Sequence, residues 1–157
     1  MQNSTEGRPG NSMGQAHEFT IIGNLKPGGA VRMREVFEGG FIGKRREGVD
    51  KVHTVHDLRF VTFDNDTRMV FASTFDGGWE AYIDDFSTII PQEIDLVFGE
   101  LEGYPGLADP SIKDWIAKHQ VSALGFYSAY PDATVRDIKK ALELKATINS
   151  LLDSLST

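Results

Sequence analysis

The stretch VHTVHDLRFVTFDNDTRMVFASTFD, at residues 52–76, decides how this chain folds. Its two halves, 52–64 and 68–76, are rich in β-branched and aromatic residues, a composition typical of β-strands. The polar tripeptide NDT between them is typical of a tight turn. Two strands joined by such a turn predict an antiparallel β-hairpin.

The segments on either side of the hairpin complete an α+β pattern. Residues 17–25 predict a short strand, and residues 25–43 and 77–90 predict helices because their apolar residues recur at intervals of three and four. Residues 94–103 are interpreted as a helix end that runs into a strand. The order is the ferredoxin-like βαββαβ arrangement, in which helices cover one face of an antiparallel sheet.

Beyond this unit the sequence predicts an extra helix, strand and helix at residues 111–120, 121–130 and 132–155. Asp132 or Thr134 can cap the last helix. Its apolar side consists of Ile138, Ala141, Leu142, Ile148, Leu151, Leu152 and Leu155. These surplus leucines suggest that the helix docks a partner, a hypothesis that fails if the helix buries them against its own subunit.

Length and composition limit the class of protein. The chain has 157 residues, enough for one domain with its own core. Lysine plus arginine number 16 and aspartate plus glutamate number 23, so the net charge is −7 (16 − 23), which argues against a nucleic-acid partner. The absence of cysteine excludes disulfides, thiolate metal sites and a cysteine nucleophile, and is expected of a cytoplasmic protein.

The two ends of the chain differ in kind. Residues 1–16 are rich in Gly, Asn, Ser and Gln, lack the apolar centre of a signal peptide and are predicted to form a disordered tail. Residues 17–157 are predicted to form a single ferredoxin-like domain. No apolar run reaches the roughly 18 residues of a membrane span, so no membrane partner is expected.

Both faces of the predicted hairpin carry apolar side chains. On the first strand, Leu58 and Phe60 share one face. The other face holds Val55, Val61 and Phe63. Helices cover one face only, and a large exposed apolar surface is rare in a monomer. We therefore expect a homodimer in which the second faces of two sheets pack together.

Three short motifs follow one another through the hairpin and the next helix. They are His-x-x-Arg-aromatic (His56, Arg59, Phe60), aromatic-Asp-Gly (Phe75, Asp76, Gly77) and Trp-Glu-x-Tyr (Trp79, Glu80, Tyr82). With EGYPG at 102–106 and FYSAYPDATVRDI at 126–138, they make the chain from residue 52 to about residue 145 resemble small bacterial proteins of the dimeric α/β-barrel superfamily. Relatives in that superfamily include cofactor-free monooxygenases, haem-degrading enzymes and haem peroxidases. The resemblance implies a fold and a pocket location rather than one reaction.

His56 and Arg59 are the candidate catalytic residues. His56 shares its strand face with Leu58, where an imidazole serves as a general acid or base or as a hydrogen-bonded core histidine. Arg59 lies among apolar neighbours on the other face, where it orients an anionic substrate group or pairs with Asp57 or Asp76. Residues three apart on a strand point to opposite faces unless a bulge intervenes, so the two need not act together.

Aromatic residues are the expected lining of a pocket between sheet and helices. The candidates for substrate contact are Phe60, Trp79, Tyr82, Tyr127 and Tyr130. The position of Trp79 on the apolar side of its helix also fits an ordinary core role. Asp76 is predicted to cap the helix that starts after it. The basic run at residues 44–46 is interpreted as a solvated loop.

No cofactor motif is evident, since the chain has no P-loop, no GxGxxG after a strand and no GxSxG. His53 and His56 form a His-x-x-His on a predicted strand, where the two rings diverge, so no metal site is predicted. A haem-dependent variant stays open, with His56 or His119 as the axial ligand.

These residues favour a small-molecule oxidoreductase, monooxygenase- or peroxidase-like, that acts on an apolar or aromatic substrate in a buried pocket. His56 would serve as the acid or base and Arg59 would orient an anionic group. The alternative is a non-catalytic ligand-binding or accessory dimeric module, because the sequence shows no convergent acid–base set on one face.

Overall fold

A computed structural model describes residues 10–40 and 46–156 of the chain. The strands within these ranges are β1 (Ser12–Met13), β2 (Ala16–Asn24), β3 (Val55–Phe63) and β4 (Arg68–Asp76). The helices are α1 (Gly29–Glu38), α2 (Arg46–Asp50), α3 (Trp79–Ile89), α4 (Pro91–Phe98), α5 (Ile112–His119) and α6 (Val135–Leu155). Residues 44 and 45 of the basic run lie outside the described residues, and Arg46 begins α2.

The strands form one antiparallel sheet in the order β1-β2-β4-β3. β4 pairs along its length with both neighbours, so that Phe71 lies opposite Ile21 on one side and Phe60 on the other. β2 and β3 therefore run parallel to each other with β4 between them, and α1 lies in the connection that joins them. This is a split β-α-β unit. The mixed α+β class and the hairpin are confirmed, and the arrangement is consistent with a ferredoxin-like fold.

One face of the sheet carries the core. Phe19, Ile21, Phe71 and Phe75 are buried on this face. Tyr82 of α3 stacks on Phe75 with the ring centroids 4.0 Å apart. The later helices contribute Ile94, Val97, Phe98, Ile112, Trp115 and Ile116 to the same cluster. The helices α3, α4 and α5 thus cover one side of the sheet, as the apolar spacing of their sequences predicts.

The fourth strand of the predicted βαββαβ unit is replaced by a helix. Residues 94–98 belong to α4, which has proline at its first position. The apolar residues of α4 recur at intervals of three and four and are buried, so the helical period decides this segment. Beyond α4, Leu101 makes an isolated bridge to Leu25.

Residues 121–130, predicted as a strand, are irregular. The first of them donates its amide to the carbonyl of Thr20 over 3.0 Å, as a strand would. The ladder then stops, because the buried carboxylate of Glu18 accepts the amide of Ala123 over 2.9 Å in place of a backbone carbonyl. The predicted helix–strand–helix is therefore a helix, an irregular segment and a helix.

Regular structure begins before residue 17, within the segment predicted to be a tail. β1 forms a short hairpin with the start of β2, and Gly14 turns the chain between them with a φ of +59°. The amide of Asn11 donates to the Glu18 carboxylate over 2.9 Å. Residues 10–16 therefore belong to the domain.

α6 leaves the body of the protein after its first turn. Thr134 caps it through a capping box with Asp137, which confirms one of the two predicted caps. Val135 is buried, whereas every described residue from 139 to 156 is exposed. The leucines of α6 are not buried against their own subunit, so the docking hypothesis stands. In the part of the chain that the structure describes, no helix combines the length and apolarity needed to cross a membrane.

The second face of the sheet is largely open. A β-bulge between Val55 and Asp57 moves Val55 to the face of Leu58, so Asp57, Arg59 and Val61 line the open face. Val61 is 47% exposed there. The open face is less apolar than the sequence indicated, and the sheet-to-sheet homodimer stays a prediction.

Truncations on the two faces of the sheet should have unequal effects on stability. Phe71→Ala removes a ring that is 3% exposed and leaves a cavity, so we expect it to lower the free energy of unfolding by about 3–5 kcal/mol. Val61→Ala on the open face should lower it by less than about 1 kcal/mol. Denaturant unfolding followed by circular dichroism measures both. Equal losses would contradict the assignment of Val61 to an open face.

Candidate functional site

A histidine–aspartate pair joins β3 to the end of β4. His56 is the extra residue of the β-bulge, and its Nε2 lies 2.6 Å from Oδ1 of Asp76. The side chain of His56 is 18% exposed and that of Asp76 is 7% exposed. Regular alternation would place the imidazole on the core face beside Leu58, so the bulge is what turns it towards Asp76.

Asp76 does not cap α3, contrary to the prediction from sequence. α3 begins after Gly78 without a side-chain cap. Oδ2 of Asp76 instead accepts the backbone amide of Val135 over 2.7 Å. Val135 is the first residue of α6, so the carboxylate satisfies a free N–H group at that helix start. One aspartate therefore both orients His56 and anchors α6.

His56 lines a groove between β3, α2 and the first turn of α6. The groove has a volume of about 310 Å³, at the lower end of the range of about 300–1,000 Å³ typical of small-molecule sites. Its lining residues are the polar Asp50, His56, Asp57 and Lys139 and the apolar Val49, Val52, Val55, Leu58, Val135 and Ile138. This size and mixed lining suit a small molecule that has both apolar and polar groups.

The pair has the geometry of a base and the group that orients it. An ionised carboxylate only accepts hydrogen bonds, so Nε2 of His56 carries the proton that Asp76 accepts. In the neutral ring, Nδ1 then keeps a lone pair and is the atom that can take a proton. The Asp76 carboxylate would stabilise the imidazolium that forms. Proton transfer to or from a bound molecule is therefore chemistry that the groove can perform.

A much smaller cavity lies in the core between the sheet and the helices α3, α4 and α5. Its volume is about 40 Å³, and its surface is almost entirely apolar. Two of its lining residues carry buried polar atoms: Trp115 Nε1 has no hydrogen-bond partner, and the Tyr82 hydroxyl has the Ser73 hydroxyl as its neighbour. The space holds a few water-sized groups, since one such group needs roughly 10–15 Å³. The aromatic substrate predicted for a buried pocket does not fit it.

The structure separates several residues that the sequence assigned to one site. Arg59 lies on the open face, 67% exposed, with Nη1 3.4 Å from Oδ1 of Asp57. The sequence indicated pairing of Arg59 with Asp57 as an alternative to a substrate-binding role. Because both side chains are exposed, this ion pair contributes little to stability. Tyr127 and Tyr130 are 80% and 71% exposed in the irregular segment. None of these side chains lines the groove beside His56.

The other predicted aromatic residues belong mainly to the core. Phe60 packs on Phe71 with the ring centroids 4.8 Å apart. Tyr82 lines the small cavity. Trp79 is half-buried at the start of α3, and the ammonium of Lys113 lies 5.9 Å from its ring centroid. The sequence indicated a core role as an alternative for Trp79. Phe60 and Tyr82 have this role as well.

Sequence reasoning missed the part of the groove that comes from α6. Val135, Ile138 and Lys139 stand on its first turn, about 80 residues after His56 in the chain. The capping box at Thr134 showed where the helix begins. Nothing local showed that this helix start would meet Asp76.

Among the described residues, neither predicted haem ligand borders a space large enough for a haem. The groove beside His56 has a volume of about 310 Å³. The His119 ring stacks on Trp115 with the centroids 4.2 Å apart, and the cavity that Trp115 lines has a volume of about 40 Å³. No group of three or more potential metal ligands occurs among the residues that the structure describes.

Comparison with known proteins shows little similarity. No protein-family model matches the chain. No curated protein matches it either. Among solved structures it is similar to the "Putative antibiotic biosynthesis monooxygenase from Nitrosomonas europaea", with 10% sequence identity and a TM-score of 0.43 over 59% of this chain and 85% of that chain. At this level of similarity, function has to be argued from the site itself.

Removal of the Asp76 carboxylate should loosen α6 as well as His56. Asp76→Ala leaves the buried amide of Val135 without an acceptor, so we expect the free energy of unfolding to fall by about 1–3 kcal/mol. Hydrogen exchange at the Val135 amide should accelerate. The control Asp57→Ala, on the exposed side of β3, should leave both quantities close to those of the unmodified protein. An unchanged exchange rate at Val135 in Asp76→Ala would contradict the anchoring role.

Alkaline pH should destabilise the protein through Tyr82. Burial raises the pKa of its phenol above the ordinary value, and the neighbouring Ser73 hydroxyl opposes the shift only in part. Above about pH 10 the unfolded chain loses this proton while the folded chain keeps it, so the free energy of unfolding falls as the pH rises. Tyr82→Phe should show a shallower fall in denaturant unfolding from about pH 9 to about pH 11. The same slope in both proteins would contradict this account.

Proposed function

We propose that this chain is a small-molecule oxidoreductase, monooxygenase-like in its reaction, that binds an apolar or aromatic substrate in the groove beside His56. The observation that carries the proposal is the 2.6 Å contact between His56 and Asp76 at the wall of that groove. A general base needs both access to substrate and a group that fixes its tautomer. His56 has the first by lining the groove and the second in Asp76.

The proposed chemical step is removal of a proton from the substrate by Nδ1 of His56. The imidazolium that forms keeps its hydrogen bond to the Asp76 carboxylate, which compensates the new positive charge. The apolar side chains of Val52 and Leu58 line the same groove and would lower the polarity around this interaction. Lys139 is the cation that lines the groove, so it takes the anion-orienting role that the sequence assigned to Arg59.

Oxidation as the reaction class has separate support. Deprotonation makes a phenol-like or similarly acidic molecule electron-rich, which prepares it for reaction with dioxygen as the oxidant. The substrate then supplies all four electrons, so that one oxygen atom enters the product, a quinone-like compound, and the other leaves as water. The resemblance of residues 52–145 to a superfamily with cofactor-free monooxygenases favours such a reaction. The proposal therefore uses no haem and no metal, in keeping with the small volumes of the groove and of the core cavity.

A second candidate is binding of a small molecule without chemistry. Trp115 Nε1 favours it, because a buried donor without a partner is costly and a bound acceptor that reached it would satisfy it. The apolar cavity that Trp115 lines, of about 40 Å³, would have to enlarge around any organic ligand. The groove beside His56 needs no such change.

Substitution of His56 should abolish turnover without unfolding the protein. Oxygen uptake is screened with phenols and fatty acids, and the best substrate is then used with His56→Ala. We expect kcat to fall by at least about 100-fold, the usual contribution of a general base. The matched control is His53→Ala, whose imidazole lies on a different surface groove and should leave kcat unchanged.

The outcomes separate the two candidate functions. Unchanged turnover in His56→Ala would contradict the proposed role of His56. If no compound is consumed, the same compounds are tested for binding by calorimetry. Binding that Trp115→Phe weakens and His56→Ala leaves intact would favour the binding module in the core cavity.

A further inference from the structure

α6 carries an apolar surface that its own subunit leaves uncovered. Every described residue from 139 to 156 is exposed. The surface, called here the α6 stripe, consists of Ala141, Leu144, Ile148, Leu151, Leu152 and Leu155. Its leucines are between 56% and 75% exposed. An unsupported helix of 21 residues is only marginally stable in water, so packing against another surface would stabilise it.

The spacing within the stripe indicates that another helix covers it. Ala141, Leu144, Ile148, Leu151 and Leu155 are separated by three, four, three and four residues. This is the heptad spacing with which two helices interlock side by side. The complementary surface is therefore a helix with the same spacing.

A second copy of the chain supplies such a helix. Among the described residues, the other helices expose isolated large apolar side chains, such as Val31 of α1 and Leu96 of α4. Isolated exposed residues of this kind are normal on a protein surface. Among the described helices, α6 has the extended exposed apolar surface. When two copies are related by a two-fold axis, the same stripe of each copy faces the other, so the stripe can be complementary to itself.

The charges on α6 decide the orientation of the pair. The half at residues 135–145 carries Arg136, Lys139, Lys140 and Lys145 against Asp137 and Glu143. The half at 146–155 carries Asp153 alone. Parallel pairing would set the two basic halves against each other, whereas antiparallel pairing keeps them at opposite ends of the pair and brings Lys145 near the partner subunit's Asp153. Opposed helix dipoles favour the antiparallel orientation as well.

We propose that this protein forms a homodimer through antiparallel pairing of α6 with the α6 of a second copy. In the register that this spacing favours, the partner subunit's Leu155 packs on Leu144 and the partner subunit's Leu151 packs on Ile148. Both copies bury the same stripe, and the pair is closed, so assembly stops at two. This interface is different from the sheet-to-sheet packing expected from the hairpin.

Light scattering after size exclusion tests the interface with three matched variants of the full-length protein. Leu151→Asp places a charge in the stripe and should convert the dimer to a monomer. Ser150→Asp adds the same charge one residue away on the opposite side of α6 and should leave the dimer intact. Val61→Asp adds it to the open sheet face and should also leave the dimer intact. Circular dichroism checks that all three variants stay folded.

Spin labels on single cysteines test the orientation, because the chain has no cysteine of its own. The two-fold axis would pass between residues 149 and 150. Labels at Ser150→Cys should then be separated only by the width of the helix pair, whereas labels at Lys139→Cys should be offset by a further distance of about 30 Å along the helix axis, from a rise of about 1.5 Å per residue. Parallel helices would give similar distances at both positions.

Several results would overturn the proposal. A monomeric unmodified protein would do so, as would a dimer that survives Leu151→Asp. A dimer that dissociates with Val61→Asp but not with Leu151→Asp would assign the interface to the sheet face. Similar label distances at positions 139 and 150 would contradict the antiparallel orientation.

Discussion

A single buried carboxylate, that of Asp76, connects the sheet, the candidate site and the C-terminal helix. Burial of a charged group is unfavourable unless hydrogen bonds compensate it. Asp76 has two such bonds, one with His56 at 2.6 Å and one from the amide of Val135 at 2.7 Å. The need to satisfy this carboxylate therefore sets both the direction of the imidazole and the point where α6 begins.

Glu18 of β2 is a second buried carboxylate that anchors neighbouring segments, and it lies opposite Thr74 of β4. It is 5% exposed, and its carboxylate accepts the amides of Asn11 and Ala123, each at 2.9 Å. These bonds hold the N-terminal hairpin and the irregular segment after α5 against β2. In this protein two acidic side chains, rather than a fourth long strand, attach the outer segments to the sheet. Removal of the Asp76 carboxylate would leave one buried amide without an acceptor, and removal of the Glu18 carboxylate would leave two partly buried amides without one.

The proposed active site and the proposed dimer interface share α6. Its first turn supplies Val135, Ile138 and Lys139 to the groove, and its later turns carry the exposed leucines. α6 is one continuous helix, so a partner that fixes its later turns would also restrict the movement of its first turn. The groove would then keep its shape more firmly in a dimer than in a monomer. Catalysis depends on such fixed geometry.

Much of the fold could be predicted from local patterns. The hairpin at 52–76, the helix at 77–90 and the cap at Thr134 all depend on neighbours in the sequence, and the structure has each of them. For residues 94–103 the prediction was a helix end that runs into a strand. The helix end is present in α4, but the strand is reduced to the isolated bridge between Leu101 and Leu25. A short apolar run fits either period, and burial among other helices decided between them.

The sequence by itself determined the α+β class, the acidic charge, the absence of cysteine chemistry and His56 as a residue to examine. Only the tertiary structure decided what His56 does. The bulge in β3, the pairing of β3 with β4 and the arrival of α6 together bring His56, Asp76 and Val135 within hydrogen-bond distance. The same packing left Arg59 in solvent. The contact of His56 with Asp76 spans 20 positions of the sequence, and that of Asp76 with Val135 spans 59. Such contacts follow from the packing of whole elements, which no local pattern encodes.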